Sequence, residues 1–327
     1  MDLLTHVLIA YLLTFGLVGL HPQYLAAGAL AGGLPDADIL LFPLARRYPI
    51  FRHHGITHSV FGVTIVAGVG SLIAPLLAPG TVPIYFLVME VGGCSHILED
   101  GFTQFSVPPL APFSDKRLQM DADRAINFAT LAVSAVAFYL LLGIERNHVT
   151  LSIYYLTLYV LVAFFVAYFA VRLAGRLTIG RRLKRTHEFQ QIVPTANPFN
   201  WLLLSEVNAS GRVRTSWARY AFGRGIVQGP YTVDGPLEAP PHTGAPTTEK
   251  EALDWSYPLA RKASEILAMT YHFGEAFRDA AGEWIACWYS LEFSMLGRSA
   301  AVRVRFPVDG GPAEVKSTFY RPRLRAL

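Results

Sequence analysis

Cysteine is almost missing from this sequence: Cys94 and Cys287 are its two, far apart and in no CxxC spacing. That excludes a disulfide framework and a thiolate metal site. Charge is scarce as well. Asp, Glu, Lys and Arg make up 16% of the 327 residues, where soluble globular chains carry about a quarter. The net charge of +4 is modest and falls mostly in loops and the C-terminal part, so no nucleic-acid partner is expected. No Lys or Arg precedes the first apolar run, 3–20, so that run lacks the basic start of a signal peptide and reads as a retained span. The glycines at 223, 225 and 229 lack phosphate-loop spacing, and no repeat or low-complexity tract stands out.

What the chain does have is apolar length. Hydrophobic residues are 52% of it, and in the first half they come in blocks near the roughly 20 residues that cross a bilayer. Six spans are expected, at about 3–20, 24–44, 58–78, 82–99, 125–144 and 151–173, within a membrane domain of residues 1–173. The second is interrupted by Gly28, Gly32, Gly33, Pro35, Asp36 and Asp38, and Pro79-Gly80 separates the third from the fourth. One set of loops holds Arg46, Arg47, Arg52, Lys116, Arg117, Arg124, Arg172, Arg176, Arg181, Arg182, Lys184 and Arg185, and the alternate set holds Arg146 alone. The positive-inside rule then makes this a multi-pass protein of the cell membrane with both termini cytoplasmic.

Residues 186–327 have a different texture, and a small cytoplasmic α+β domain is expected there. Alternating apolar runs at 201–207, 218–227, 284–295, 300–306 and 314–320 read as strands. Asp309-Gly310-Gly311 marks a turn between the last two. Residues 249–281 read as mostly helical, kinked or divided at Pro258, and 229–248 as a long surface loop.

On this topology the polar residues of the apolar half converge. His6 lies near the start of the first span, Asp36 and Asp38 toward the end of the second. His53, His54 and His58 enter the third, and His96, Glu99 and Asp100 close the fourth. All lie at the cytoplasmic face, which Lys and Arg alone had assigned. Ionisable residues at membrane depth are costly and suggest function. His with Asp is a ligand set suited to zinc or a similar ion. His96 and Asp100 stand four apart, one above the other on a helix, and His54 and His58 share that spacing. Simpler roles stay open for each: an interhelical hydrogen bond for His6, helix caps for Asp36 and Asp38, a solvated basic loop for His53 and His54.

The motifs Met1-Asp2-Leu3-Leu4-Thr5-His6, Leu34-Pro35-Asp36-Ala37-Asp38, His53-His54-Gly55-Ile56-Thr57-His58-Ser59 and Ser95-His96-Ile97-Leu98-Glu99-Asp100-Gly101-Phe102-Thr103 occur in this order. In them the sequence resembles the membrane-bound metal-dependent hydrolases of the YdjM type. Pro112-Phe113-Ser114 and 194–201 extend the likeness toward the C-terminal part. The family pattern usually has Arg where this chain has His54, so the resemblance carries the ligand role to His53 and leaves His54 to a phosphate, to catalysis or to no role.

The resemblance implies a metal-dependent hydrolase with His6, Asp36, Asp38, His53, His58, His96 and Asp100 as metal ligands. Those are too many for one four-coordinate ion and suit two, zinc or alternatively manganese, bridged by a carboxylate, or one ion with some of the seven orienting its ligands from behind. Thr57 and Ser59 are expected to hydrogen-bond behind the ligands, Glu99 to act as a general base, and Lys116 and Arg117 to hold a phosphate. A site at the membrane face favours a lipid or lipid-linked phosphoester as substrate. The rival reading is a non-catalytic membrane scaffold with a structural metal and a partner-binding C-terminal domain.

Overall fold

The computed structural model describes all residues except 42–47, 49–53, 105, 125–126, 147–150, 187–188, 196, 237, 239–243, 268–272, 296–297 and 321–327. The chain divides into two compact units, one of residues 1–178 with 194–199, the other of 179–193 with 200–327.

The first unit is helical. Helix α1 (Leu3–Val18) starts because Asp2 accepts from the Thr5 backbone N–H, and stops at Gly19, whose φ of 71° suits glycine. Helix α2 (Pro22–Gly33) opens on a proline, where the missing N–H costs nothing. A 3₁₀ segment, Pro35–Leu41, follows it. A second one, Ile56–His58, leads into α3 (Val60–Leu77), whose first turn is capped by Ser59 accepting from Gly62 N–H at 3.1 Å. Helices α4 (Val82–Phe102), α5 (Phe128–Arg146) and α6 (Leu151–Thr186) complete the set.

Three helices among the described residues are long and apolar enough to cross a membrane: Val60–Leu77, Val82–Phe102 and Leu151–Leu183. The expectation of six is corrected on this point. Helix α1 has 16 residues and rises about 24 Å, short of the ~30 Å hydrocarbon core. Helix α2 has 12 residues, the length of a buried core helix, and the polar Pro35–Leu41 turn ends what was read as one span. The apolar part of α5, Phe128–Leu141, is also short.

Helix α2 packs between α1 and α4, and small residues make that possible. In lipid, helices are held by close approach rather than by a drive to leave water. A Cβ on Gly32 would lie 2.4 Å from Ala10 Cβ of α1, and one on Gly92 of α4 would lie 2.3 Å from the Gly28 carbonyl oxygen of α2. Gly92→Ala should therefore force α2 and α4 apart, at a cost of about 1–3 kcal/mol. A lowered unfolding midpoint in detergent is the expected result, and an unchanged midpoint would mean the contact is dispensable. On the other side of α1, Leu8, Leu12 and Phe15 pack with Ala137 and Leu141 of α5 and Leu158 and Phe165 of α6.

A buried ion pair ties later parts of this unit together. Arg172 of α6, fully buried, meets Asp123 at 3.0 Å and donates to the carbonyls of Asn197 and Thr195. Tyr168 and Asn127 donate to the same carboxylate, at 2.7 and 2.9 Å. Arg172, counted among the loop charges that oriented the chain, is therefore a neutralised internal residue.

The second unit is strand-rich. Strands β1 (Gln191–Pro194), β2 (Asn200–Ala209), β3 (Arg212–Ala221) and β4 (Gly225–Pro236) form one sheet in sequence order. After helix α7 (Glu249–Leu267), strands β5 (Phe273–Arg278), β6 (Trp284–Met295), β7 (Arg298–Phe306) and β8 (Glu314–Tyr320) form the other. Leu202, Leu204 and Trp217 of the first sheet pack with Ile285, Cys287 and Tyr289 of the second. Helix α7 sets Tyr257 and Ala260 against Trp288 and Val302.

Two expectations for this unit fail. The strand read at 218–227 is a hairpin, β3 turning into β4, and β4 runs through residues assigned to a loop. The helix read over 249–281 ends at Leu267 after passing through Pro258, and 273–278 pairs with β6.

Candidate metal centre

Asp36, His58, His96 and Asp100 each point one ligand atom into a common space, all within 4.8 Å of one another. His96 Nε2 lies 3.3 Å from Asp100 Oδ2 and 3.6 Å from Asp36 Oδ1. His58 Nε2 lies 3.5 and 3.6 Å from the same two oxygens. The four residues come from three parts of the chain. The turn after α2 brings Asp36, the turn before α3 brings His58, and the last turns of α4 bring His96 and Asp100.

Each imidazole is aimed by its other nitrogen. His96 Nδ1 donates to the Gly32 carbonyl at 2.7 Å, which leaves Nε2 with a lone pair toward the centre. His58 Nδ1 lies 3.1 Å from Thr57 Oγ1 and 3.3 Å from Asp38 Oδ2, and the Thr57 hydroxyl donates to that carboxylate at 2.7 Å. Such partners fix the ring orientation and basicity of a metal-binding histidine.

His6 adds a third ring. Its Nδ1 meets Glu99 Oε2 at 3.0 Å, its Nε2 lies 3.2 Å from Asp100 Oδ1, and it stacks on His96 with centroids 3.7 Å apart. The Met1 amino group also contacts Asp100 Oδ1. Asp100 thus turns one oxygen toward His6 and the other toward His58 and His96.

The donor set fits a cation. His96 Nε2 and Asp100 Oδ2 are buried without a hydrogen-bond partner among the described residues, and His6 Nε2 is in the same condition. Lone pairs facing carboxylate oxygens at such distances need positive charge between them. Three imidazolium ions at this spacing would repel one another, whereas a divalent ion would serve Asp36, His58, His96 and Asp100 together. Two of the groups lie outside the candidate spans and respond accordingly. Burial disfavours charge on His58, but Asp36 and Asp38 outweigh it and raise its pKa. Burial likewise opposes the Asp36 carboxylate, but His58 holds its pKa below the ordinary value.

The other expected site residues take varied places. His54, in a left-handed conformation at φ 59°, puts Nε2 3.5 Å from Asp100 Oδ2. Its side chain is 14% exposed and that of Asp36 24%, so the centre reaches the surface on their side. Glu99 is turned toward His6. Ser59 does not stand behind a ligand: its hydroxyl donates to Ile56 O and accepts at the α3 cap. Arg117 donates from Nε and Nη2 to Ser106 and from Nη2 to the His54 carbonyl, so those groups are engaged within the protein. Lys116 shares its exposed segment. His53 lies outside the described residues. The residue missed was Gly32, whose carbonyl orients His96; the Gly28-x-x-x-Gly32 spacing signals close helix packing but not this backbone contact.

Residues 1–175 match the YdjM inner membrane protein family. The chain belongs to that family. The match takes in every member of the metal-binding group and Pro112–Ser114 but stops before 194–201, so the likeness carried there has no counterpart in it. No curated protein and no solved structure matches the chain. Membership in a membrane family agrees with the three helices able to span a bilayer, and the Asp36, His58, His96 and Asp100 group could hold a metal ion.

Proposed function

We propose that this protein is a membrane-embedded, metal-dependent hydrolase acting on a phosphoester of a lipid or lipid-linked substrate at the cytoplasmic face. The observation that carries the reading is the set of buried acceptors around Asp100, each histidine oriented by a second partner. Asp36, His58, His96 and Asp100 would hold the ion, with His6 on the far oxygen of Asp100 for a second. Zinc suits the His and Asp donors, and manganese is the alternative. A divalent ion there would supply the acidity that makes water a nucleophile near neutral pH.

The protein's own groups divide the remaining work. Gly32 and the Thr57–Asp38 pair keep His96 and His58 aimed, and Glu99 holds His6. In this reading Glu99 is a positioning residue rather than the general base. His54, partly exposed and 3.5 Å from Asp100, would take and return the proton at Nε2. The surface access beside Asp36 and His54 favours catalysis over a sealed structural ion, because a catalytic site keeps a position open to substrate.

The reading is tested by headgroup release from a panel of lipid phosphoesters in vesicles of either sidedness. Release should require metal, vanish in His96→Ala, and appear when the substrate is in the leaflet on the metal centre's side, where the Met1 amino group meets Asp100. If no lipid phosphoester turns over in metal-loaded protein, the scaffold reading replaces this one.

A further inference from the structure

A cavity of about 240 Å³ adjoins the metal centre, between the turn after α2 and helices α3 and α4. Its lining is almost wholly apolar: Leu34, Ile56, Val63, Val66 and Met89 are among the walls. Among the described residues that line it the one hydroxyl, that of Thr57, already donates to Asp38. Water needs polar partners, and an apolar cavity stays dry or takes an apolar guest. Glycine keeps the space open, since a Cβ on Gly93 would lie 2.4 Å from Val63 Cγ1 and drive that side chain.

Its two ends differ in chemistry. Pro35 and Thr57 on its wall are the chain neighbours of Asp36 and His58, so one end abuts the candidate ligands. The other runs along α3 to Val66, about 9 Å of helix rise past Val60 into a candidate membrane span. Ile65 and Val66 line the cavity while remaining 51% and 42% exposed, so the wall they form is also an outer face of that apolar helix. The volume falls below the ~300 Å³ at which pockets enclose a whole drug-sized ligand. It fits part of a molecule, and the apolar helix face beside it is where a bilayer would supply one.

We infer that this cavity receives one acyl chain of a membrane phospholipid, entering sideways past Ile65 and Val66, with the headgroup at the metal centre. The inference deepens the proposed hydrolase reading by naming the substrate class, and it rests on that reading for the position of the headgroup. It also assigns specificity: Val63, Val66 and Met89 select for a hydrocarbon chain over a soluble phosphoester.

Photolabelling tests it without requiring turnover. The full chain is reconstituted into vesicles of phosphatidylethanolamine and phosphatidylglycerol in which some phosphatidylglycerol carries a diazirine in one acyl chain. Met89 is only 7% exposed, so lipid surrounding the protein does not reach it, whereas Leu72, 66% exposed on α3, reports that surrounding lipid. The expected result is labelling at Met89 that falls about tenfold in Val66→Trp, whose indole blocks the entrance, and persists in Leu72→Trp. Met89 left unlabelled while the outer face of α3 is labelled, or labelled equally in all three proteins, would overturn the inference. Unfolding midpoints of the variants show whether each is folded, and Ile65→Trp repeats the block at a second exposed position. Turnover is scored in parallel. Labelling at Met89 in a protein that hydrolyses nothing keeps the chain site and removes the reaction, whereas turnover of a phosphoester with Met89 unlabelled does the reverse.

Discussion

His96→Ala and Asp36→Ala should each emerge from detergent purification without the divalent metal that the wild type carries in stoichiometric amount. Elemental analysis of the three proteins side by side is the measurement. The expectation follows from geometry: His96 Nε2 and Asp36 Oδ1 are 3.6 Å apart and share Asp100 and His58 as neighbours, so either loss opens the same set. Two milder changes sharpen it. Thr57→Val removes the hydroxyl between His58 and Asp38, and losing such a partner weakens metal affinity by about 10–100-fold. Ser59→Ala removes a helix cap and nothing at the centre, so it should keep its metal while losing about 1 kcal/mol of stability. Metal-free wild type, folded and never exposed to chelator, would make the cluster a hydrogen-bonded helix junction and end the hydrolase reading.

Asp123→Ala is expected to be among the most destabilising single changes in the chain. It takes from the fully buried guanidinium of Arg172 the carboxylate it meets at 3.0 Å. Breaking a buried pair from one side costs about 3–5 kcal/mol, because the remaining charge is uncompensated. Denaturant unfolding in detergent measures the loss. The double variant Asp123→Leu with Arg172→Met should recover much of it, since an apolar pair of similar volume is often no worse than the ions. A loss below about 1 kcal/mol in Asp123→Ala would mean that water reaches the pair and that it behaves as a surface salt bridge.

The candidate centre was more legible in the sequence than the helices that carry it. His96 and Asp100 could be paired by spacing alone, because four residues on a helix bring two side chains to one face. The convergence of Asp36 and His58 on them rested on charge bookkeeping at one membrane face, which is coarse but independent of the histidines. What no pattern could supply was orientation. The Gly32 carbonyl that turns His96 is a backbone group, and every residue has one. The same limit explains Ser59, whose hydroxyl chose the local N–H groups of α3 over a ligand next door.

Hydropathy misled where burial replaces lipid. Helix α2 is apolar because it lies between α1 and α4, and a short buried helix scores like part of a span. Arg172 misled in the opposite sense, as a loop charge by sequence and an internal ion by structure. In the second unit the glycines dismissed as a failed phosphate loop were turn residues: Gly223 and Gly225, at φ 81° and 83°, reverse the chain between β3 and β4. Strand β5 was hidden behind the helical pattern that precedes it, and its apolar residues became readable only through pairing with β6.

All four members of the metal-binding group found among the described residues lie between residues 36 and 100. Their immediate supports, Gly32, Thr57 and Asp38, fall in or just before the same interval. Chains are made from the N-terminus, and early parts can fold as units before later ones exist. Once α4 is threaded and α2 has docked on it, the pocket of donors is complete. The Arg172–Asp123 tie and both sheets come later in synthesis and are not needed to close it. An ion held by this group would therefore clamp the ends of the first helices together while the rest of the chain is still being made.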